Sequence, residues 1–271
     1  MGTGIRAGVT GALGIDLSVV VPAYNEATVL PAALDQIVAA LDALGRRWEI
    51  VVVNDGSDDR TLIEAQSVAA RQPSIRVLSN GANLGIGGAL RTGALNASGT
   101  FVTIIPADIA FDLSRLGDML DAIKEADVLV CLRSDRQDSS VFRKVVSYAY
   151  ITLVQRLFSL PLQQFNYIHV YRRSVFDRVM FRSDSVFFHA EVLIRARDAG
   201  CRLKEFALEY RPRRTGRAKG ARLGTILRTF QDLARFWWTW PGVPTGCSGG
   251  VIPGPSAARV AGRHIDPPTR Q

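Results

Sequence analysis

Lysine is scarce in this chain of 271 residues: four of the 33 basic side chains are lysine (Lys124, Lys144, Lys204, Lys219) and the other 29 are arginine, against 25 acidic residues, for a net charge of +8. The cationic surplus therefore sits almost wholly on planar guanidinium forks, which bind two phosphate oxygens at once. Cysteine is also rare. Cys131, Cys201 and Cys247 are odd in number, far apart and without a CxxC, which excludes a disulfide framework and a cysteine zinc site and fits a reducing compartment. Long apolar runs are missing: no segment approaches the roughly eighteen residues of a membrane span, and residues 1–16 lack the cationic start and apolar block of a signal peptide. These absences predict a cytoplasmic chain, with a membrane surface open as a place of work. An apolar fraction of 47% is ample for a packed core and excludes disorder of the whole chain. The charge alone leaves nucleic acid, an anionic membrane and a phosphorylated substrate as partners.

Residues 1–16 and 241–271 are rich in Gly, Ala, Pro and Ser without periodicity and read as disordered tails around one domain, 17–240. Within it apolar runs at 17–22, 49–54, 75–79, 101–105 and 128–132 read as buried strands, and 29–44, 60–71, 86–97 and 114–124 as helices. Strands that are apolar throughout and alternate with helices predict an α/β fold, a mostly parallel sheet covered on both faces. In such a sheet the ligand sits at the carboxyl ends of the strands.

Those ends are rich in polar groups. The first strand runs into Pro22-Ala23-Tyr24-Asn25-Glu26 and the second into Asn54-Asp55-Gly56-Ser57-Asp58-Asp59. Helix capping accounts for Asn25 and for Asp58 or Asp59, but not for Tyr24 with Glu26, nor for Asp55. A planar aromatic and two carboxylates able to accept base and ribose protons suit a nucleoside. Asn83-Leu84-Gly85-Ile86-Gly87-Gly88 opens a helix, so its amides are candidates to face an anion. The fourth strand ends in Pro106-Ala107-Asp108.

VPAYNE, VVVNDGSDD, NLGIGGALRTG and a strand ending in Asp, in that order and spacing, resemble the inverting family 2 glycosyltransferases of the GT-A fold. Within them the chain is most similar to the dolichol-phosphate mannosyltransferase and polyprenyl-phosphate sugar transferase group, over roughly 17–235. His189-Ala190-Glu191 ahead of LIRARDAG, and the arginine-rich RPRRTGRAK (211–219), support the subgroup. The resemblance implies a nucleotide-binding half at about 17–132 and an acceptor-binding half at about 133–240. It implies nucleotide contacts at Pro22, Ala23, Tyr24, Glu26, Val53, Asp55, Gly85, Ala107 and Asp108. Phosphate-binding cations fall on Arg133, Arg143, Arg213 and Lys219, with Arg133 and Arg143 assigned to the acceptor phosphate.

The chain departs from the family pattern at the metal motif. The family usually carries D-A-D-x-Q, whereas Pro106-Ala107-Asp108-Ile109-Ala110 keeps one carboxylate, with Asp112 the nearest substitute. Mg2+ or Mn2+ is then held weakly by Asp108, or its charge is shared by arginines; both readings stay open. The implied reaction moves a sugar from a GDP- or UDP-sugar to a polyprenyl phosphate with inversion. Arg213 and Lys219 stabilise the leaving diphosphate, and Asp108 places the metal or sugar. A lipid phosphate needs no general base. A hydroxyl acceptor does, and Glu191 is the candidate, with a first-turn helix role as its alternative. Transfer to a soluble hydroxyl acceptor and a catalytically weak nucleotide-sugar-binding subunit are the competing functions.

Two further segments bear on the membrane. Leu223, Ile226, Leu227, Phe230, Leu233, Phe236, Trp237 and Trp240 recur at helical spacing beside Arg222, Arg228 and Arg235, and 141–159 has broad apolar faces. A C-terminal amphipathic helix of this kind suits a bilayer headgroup region or docking on the protein itself. From Arg211 to Trp240 there are eight cations and one anion, so most of the net charge is local. That points to diphosphate, lipid phosphate and peripheral membrane contact, and away from nucleic acid, for which no recognised module is present.

Overall fold

The computed structural model describes residues 14–109, 111–133, 141–208, 223–242 and 250–252, the side chains of 141–144 and 223 excepted. In strand β1 (Leu17–Ala23), Val19 and Val21 join one buried cluster and Val20 another, which is why the strand is apolar throughout: it is covered on both faces. The chain continues through α1 (Leu30–Asp42), β2 (Trp48–Asp55), α2 (Thr61–Arg71), β3 (Ile75–Asn80), α3 (Gly85–Asn96), β4 (Phe101–Ile104), α4 (Leu116–Ala122) and β5 (Val128–Arg133). It then forms α5 (Val141–Phe158), β6 (His169–Arg172), α6 (Arg173–Arg178), α7 (Phe188–Asp198), β7 (Leu203–Leu208), α8 (Leu223–Thr239) and β8 (Val251–Ile252). Each strand and helix expected up to residue 132 is present within a few residues of its expected bounds.

The eight strands form one sheet in the order β3-β2-β1-β4-β6-β5-β7-β8. All neighbours pair in parallel except β6, which is antiparallel to both β4 and β5. From β1 and β4 the strands build outward in opposite directions, so the topological switch point lies between these two. α1, α2 and α4 cover one face; α3, α5, α7 and α8 cover the other. α1 shows how the sequence directs this: Pro31 in its first turn loses no needed N–H bond, and Leu30, Ala33, Leu34, Ile37 and Leu41 form a buried stripe. Each large side chain so buried contributes about 1.5–3 kcal/mol.

Three sequence expectations change. Val251–Ile252 lies in the segment expected to be structureless but pairs with Leu203 and Lys204, because β7 would otherwise end the sheet with unpaired amides and carbonyls. Ile15 and Asp16, assigned to a tail, accept from Thr100 N (3.0 Å) and Phe101 N (3.0 Å). The boundary at 132/133 does not divide the sheet, since β6 from the second half lies between β4 and β5 of the first.

α8 docks on the protein through one side. Leu233 and Phe236 are buried, Phe236 stacking on Phe158 and Phe187 at centroid distances of 5.3 and 5.5 Å, and Trp240 Nε1 donates to Asp198 Oδ2 at 2.8 Å. Leu227 and Trp238, three helical turns apart on the opposite side, are 60% and 84% exposed.

Candidate active site at the carboxyl edge of the sheet

Parallel register brings the polar strand ends together. Ala23 lies beside Asn54, Asp55 beside Asn80, and Val20 beside Ile104, so Tyr24 and Asp108, each four residues further on, both leave the same edge at the switch point. Tyr24 is exposed and Ala107 buried. Pro22 and Val53 are paired strand residues. Arg133 ends β5 at the same edge beside Leu208, the strand residue from which the chain runs into the arginine-rich segment. Arg213, Lys219 and Ala110 lie outside the described residues, as does the side chain of Arg143.

The β1 and β2 loops hold each other. Asn25 sits at a left-handed φ of 53°, its N–H donating to Ser57 Oγ (3.1 Å) while its Oδ1 accepts from Asp58 N (3.0 Å). Asp59 accepts from Ala27 N (3.2 Å) and from the amide and hydroxyl of Thr61, and Glu26 N donates to Thr61 Oγ1 (2.8 Å). These bonds lower the Asp59 pKa against the opposing effect of desolvation. The capping expected of Asn25 is thus a cross-loop lock that presents Tyr24 and Glu26 on a fixed turn.

Asp55, 3% exposed, accepts at one oxygen, Oδ1, from Asn80 Nδ2 (2.7 Å) and Leu84 N (3.0 Å). Asn80 is itself fixed by Thr92 Oγ1 (3.0 Å). Asn80 and Thr92 are site-supporting residues missed in the sequence; the usable signal was a polar residue ending β3 in the same register as Asp55.

The glycine turn differs from expectation. Leu84 N goes to Asp55, Gly85 N to Asn83 Oδ1 (2.9 Å) and Gly87 N to the Asp184 carbonyl (3.0 Å), so these amides are already given to protein acceptors rather than turned to an anion. Glycine is required here for close approach: Gly85 has φ +81°, and a Cβ on it would stand 2.6 Å from the Asp184 carbonyl oxygen. A Cβ on Gly87 would overlap the Ser183 carbonyl oxygen.

Glu191, the candidate base, is 1% exposed in the first turn of α7. Its carboxylate accepts from Arg182 N, Ser183 N (2.8 Å), Ser183 Oγ (2.6 Å) and Arg195 Nε (2.8 Å). Four donors leave it anchoring the 182–183 backbone, a geometry that favours the structural alternative over proton abstraction. His169 and Cys131 are fully buried in the sheet; burial brings His169 down to about 4 and pushes the Cys131 thiol up. His189 packs on His169 at 5.2 Å. These groups are core, as is Cys201.

The resemblance implies a divalent cation, and the donor set tests it. Asp108 is the one carboxylate of the motif; Asp112 accepts from Ser114 N (3.1 Å) to cap the turn that follows. Among the described residues no three His, Cys, Asp or Glu side chains stand together as metal ligands. One carboxylate fits a cation whose remaining ligands are phosphate oxygens and water.

A doubly covered, mostly parallel sheet with polar loops gathered at the carboxyl ends of its strands, beside the switch point, defines a doubly wound α/β protein. Residues 18–185 match the family described as Glycosyl transferase family 2, and the chain belongs to that family. It is 28% identical over 169 residues to dodecaprenyl-phosphate galacturonate synthase of Rhizobium johnstonii, covering 61% of this chain and 50% of that protein. It is 30% identical over 229 residues to undecaprenyl-phosphate 4-deoxy-4-formamido-L-arabinose transferase of Edwardsiella ictaluri, covering 83% of this chain and 69% of that one. The chain thus spans half the length of the Rhizobium relative. Its fold is similar to that of glucosyl-3-phosphoglycerate synthase from Mycobacterium tuberculosis bound to uridine diphosphate, with a TM-score of 0.63 at 19% identity over 86% of this chain and 82% of the other. The GT-A expectation is borne out.

Proposed function

We propose that this protein transfers a sugar from a nucleotide sugar to a polyprenyl phosphate with inversion at the anomeric carbon. The observation that carries the reading is the convergence of Tyr24, Glu26, Asp55 and Asp108 at one sheet edge, at the switch point of a family 2 glycosyltransferase fold. The relatives named for polyprenyl-phosphate substrates support the acceptor class. Tyr24 offers its ring to the base, and Asp55, with Oδ1 committed to Asn80 and Leu84, offers Oδ2 to base or ribose donors. Asp108 would hold Mg2+ or Mn2+ together with the diphosphate; the cation supplies charge neutralisation of the leaving group. The same M. tuberculosis synthase has been solved with Mn2+, uridine diphosphate and glucosyl-3-phosphoglycerate, which supports a cation in this fold. Arg213 and Lys219 share the work on the leaving phosphates, and Arg133 and Arg143 receive the acceptor phosphate.

A phosphate oxygen is ionised near neutral pH and attacks without a general base, which agrees with a Glu191 already committed to four donors. The acceptor is lipidic, and the exposed apolar residues Leu227 and Trp238 of α8, with Val145 and Tyr148 of α5, provide peripheral contact with the bilayer surface. Among the described residues no helix is long and apolar enough to cross a membrane.

The test offers UDP- and GDP-sugars with and without a short polyprenyl phosphate, each with and without chelator. Transfer that requires the lipid phosphate is expected. Transfer to a hydroxyl compound, or binding without turnover, overturns the reading.

A further inference from the structure

The Arg182–Ser185 strap is clamped from three sides. Glu191 on α7 takes the amides of Arg182 and Ser183 and the Ser183 hydroxyl; Asp232 on α8 accepts from Ser185 N at 3.2 Å; and Arg91 on α3 pairs with Asp184 at 2.8 Å. The strap in turn lies on the first turn of α3, where the Asp184 carbonyl accepts from Gly87 N at 3.0 Å and Gly85 and Gly87 have no room for a Cβ. The same helix holds Asp55 twice: Leu84 N, at its N-cap, donates to it at 3.0 Å, and Thr92, further along the helix, fixes Asn80, which donates to Asp55 at 2.7 Å. A continuous run of hydrogen bonds and close contacts therefore joins a buried carboxylate on α7 to the nucleotide carboxylate on β2.

We propose that Glu191 is a positioning residue of the nucleotide site, setting Asp55 through the Arg182–Ser185 strap and the glycine turn of α3. The buried carboxylate is the only acceptor shown for the Arg182 and Ser183 amides among the described residues, so neutralising it loosens the strap where α3 rests. Loosening reaches Asp55 as a changed orientation of the oxygen left for the ligand. The inference rests on the nucleotide-sugar reading above and adds a residue to it.

The experiment measures dissociation constants for UDP and GDP by calorimetry, with kcat, its pH profile and thermal unfolding, on the full chain. Glu191→Gln is expected to weaken binding of the preferred nucleotide about fivefold, with the pH profile of kcat unmoved. Gly87→Ala, which forces strap and helix apart from the other side, is expected to weaken it in the same direction. Glu49→Gln is the control: Glu49 is buried at the opposite edge of the sheet, bonded to Ser18 Oγ, Ser98 N and Arg76, so its loss lowers the unfolding temperature and leaves nucleotide binding unchanged. Nucleotide affinity equal to wild type in both Glu191→Gln and Gly87→Ala overturns the proposal. So does a loss of kcat with a shifted pH profile and unchanged affinity, which marks Glu191 as a base. A wild type that binds neither nucleotide overturns the nucleotide reading itself, and the positioning role with it.

Discussion

Asp108 and Asp55 carry different work, and substitution separates them. Asp108 is the one carboxylate of its motif, where Pro106 and Ala110 offer no side-chain ligand, so under the proposed function Asp108→Ala removes the protein's anchor for the diphosphate-borne cation. Transfer is expected to fall by about 10²-fold or more in kcat, measured with saturating donor; full activity would remove the residue from the site. Since phosphate oxygens supply the other ligands, Mn2+ titrated alone is expected to give no calorimetric binding at sub-millimolar concentration, and binding is expected once UDP or GDP is present. Asp55 fails differently. Its Oδ1 fixes Leu84 N and Asn80, so Asp55→Ala leaves both donors without their acceptor inside a site from which the buried carboxylate is gone, as well as removing the proposed nucleotide contact. It is expected to lose about 1–3 kcal/mol of stability in urea unfolding together with nucleotide affinity.

At the scale of elements, what was legible followed from repetition along the chain. Apolar strands alternating with striped helices gave the sheet, its two covered faces and the edge at which Tyr24, Asp55 and Asp108 meet, because each of those signals is local. Roles that depend on a distant partner were not legible. Gly85 and Gly87 read as an anion-facing turn because nothing nearby in sequence shows that residues 183 and 184, about a hundred positions on, lie against them. Glu191 left a base and a first-turn helix role both open because three of the four donors that occupy it, Arg182 N, Ser183 N and Ser183 Oγ, are brought to it by a fold-back of the preceding loop. β6, too short and antiparallel, gave no periodic signal of its own. The amphipathic helix α8 was ambiguous for a related reason. One apolar side docks on Phe158 and Phe187, while Leu227 and Trp238 face away with the exposed Arg228 and Arg235 at their flank, a composition suited to anionic headgroups. Trp238→Glu is expected to reduce co-sedimentation with phosphatidylglycerol vesicles severalfold and to leave urea unfolding unchanged, since the side chain buries little in the fold. Vesicle binding equal to wild type would take α8 out of membrane contact.

The whole molecule carries an acid limit built into its core. His169 is fully buried between β4 and β5, its Nε2 on the Phe165 carbonyl at 2.9 Å and its Nδ1 without a hydrogen-bond partner among the described residues, and burial lowers its pKa from 6.5 to about 4. His189, against its ring, is held well below the usual histidine range by burial and by His169. The neighbouring Tyr171 hydroxyl and Cys131 thiol are pushed up by burial, so both stay neutral across this window and offer no charge to a histidinium. Between the unfolded value of 6.5 and the folded value near 4, the unfolded chain therefore binds more protons than the native one. Stability rises with pH through that interval and is lost as pH falls through it. For His169 alone the loss at pH 5 is on the order of 2 kcal/mol relative to pH 7.5. The buried carboxylate Glu49 acts in the same direction, but the hydrogen bonds from Ser18, Ser98 and Arg76 outweigh its desolvation and hold its folded pKa below the ordinary carboxylate range, so its share is lost only at lower pH. Urea unfolding at pH 7.5 and at pH 5 thus reads the histidines with little interference from the acidic network. His169→Phe, which substitutes a neutral ring against the rings of Tyr171 and His189, is expected to flatten this dependence above pH 5 while His189 keeps part of it. An unchanged slope in that variant would mean that His169 is protonated in the native state and that its apolar surroundings do not exclude the charge.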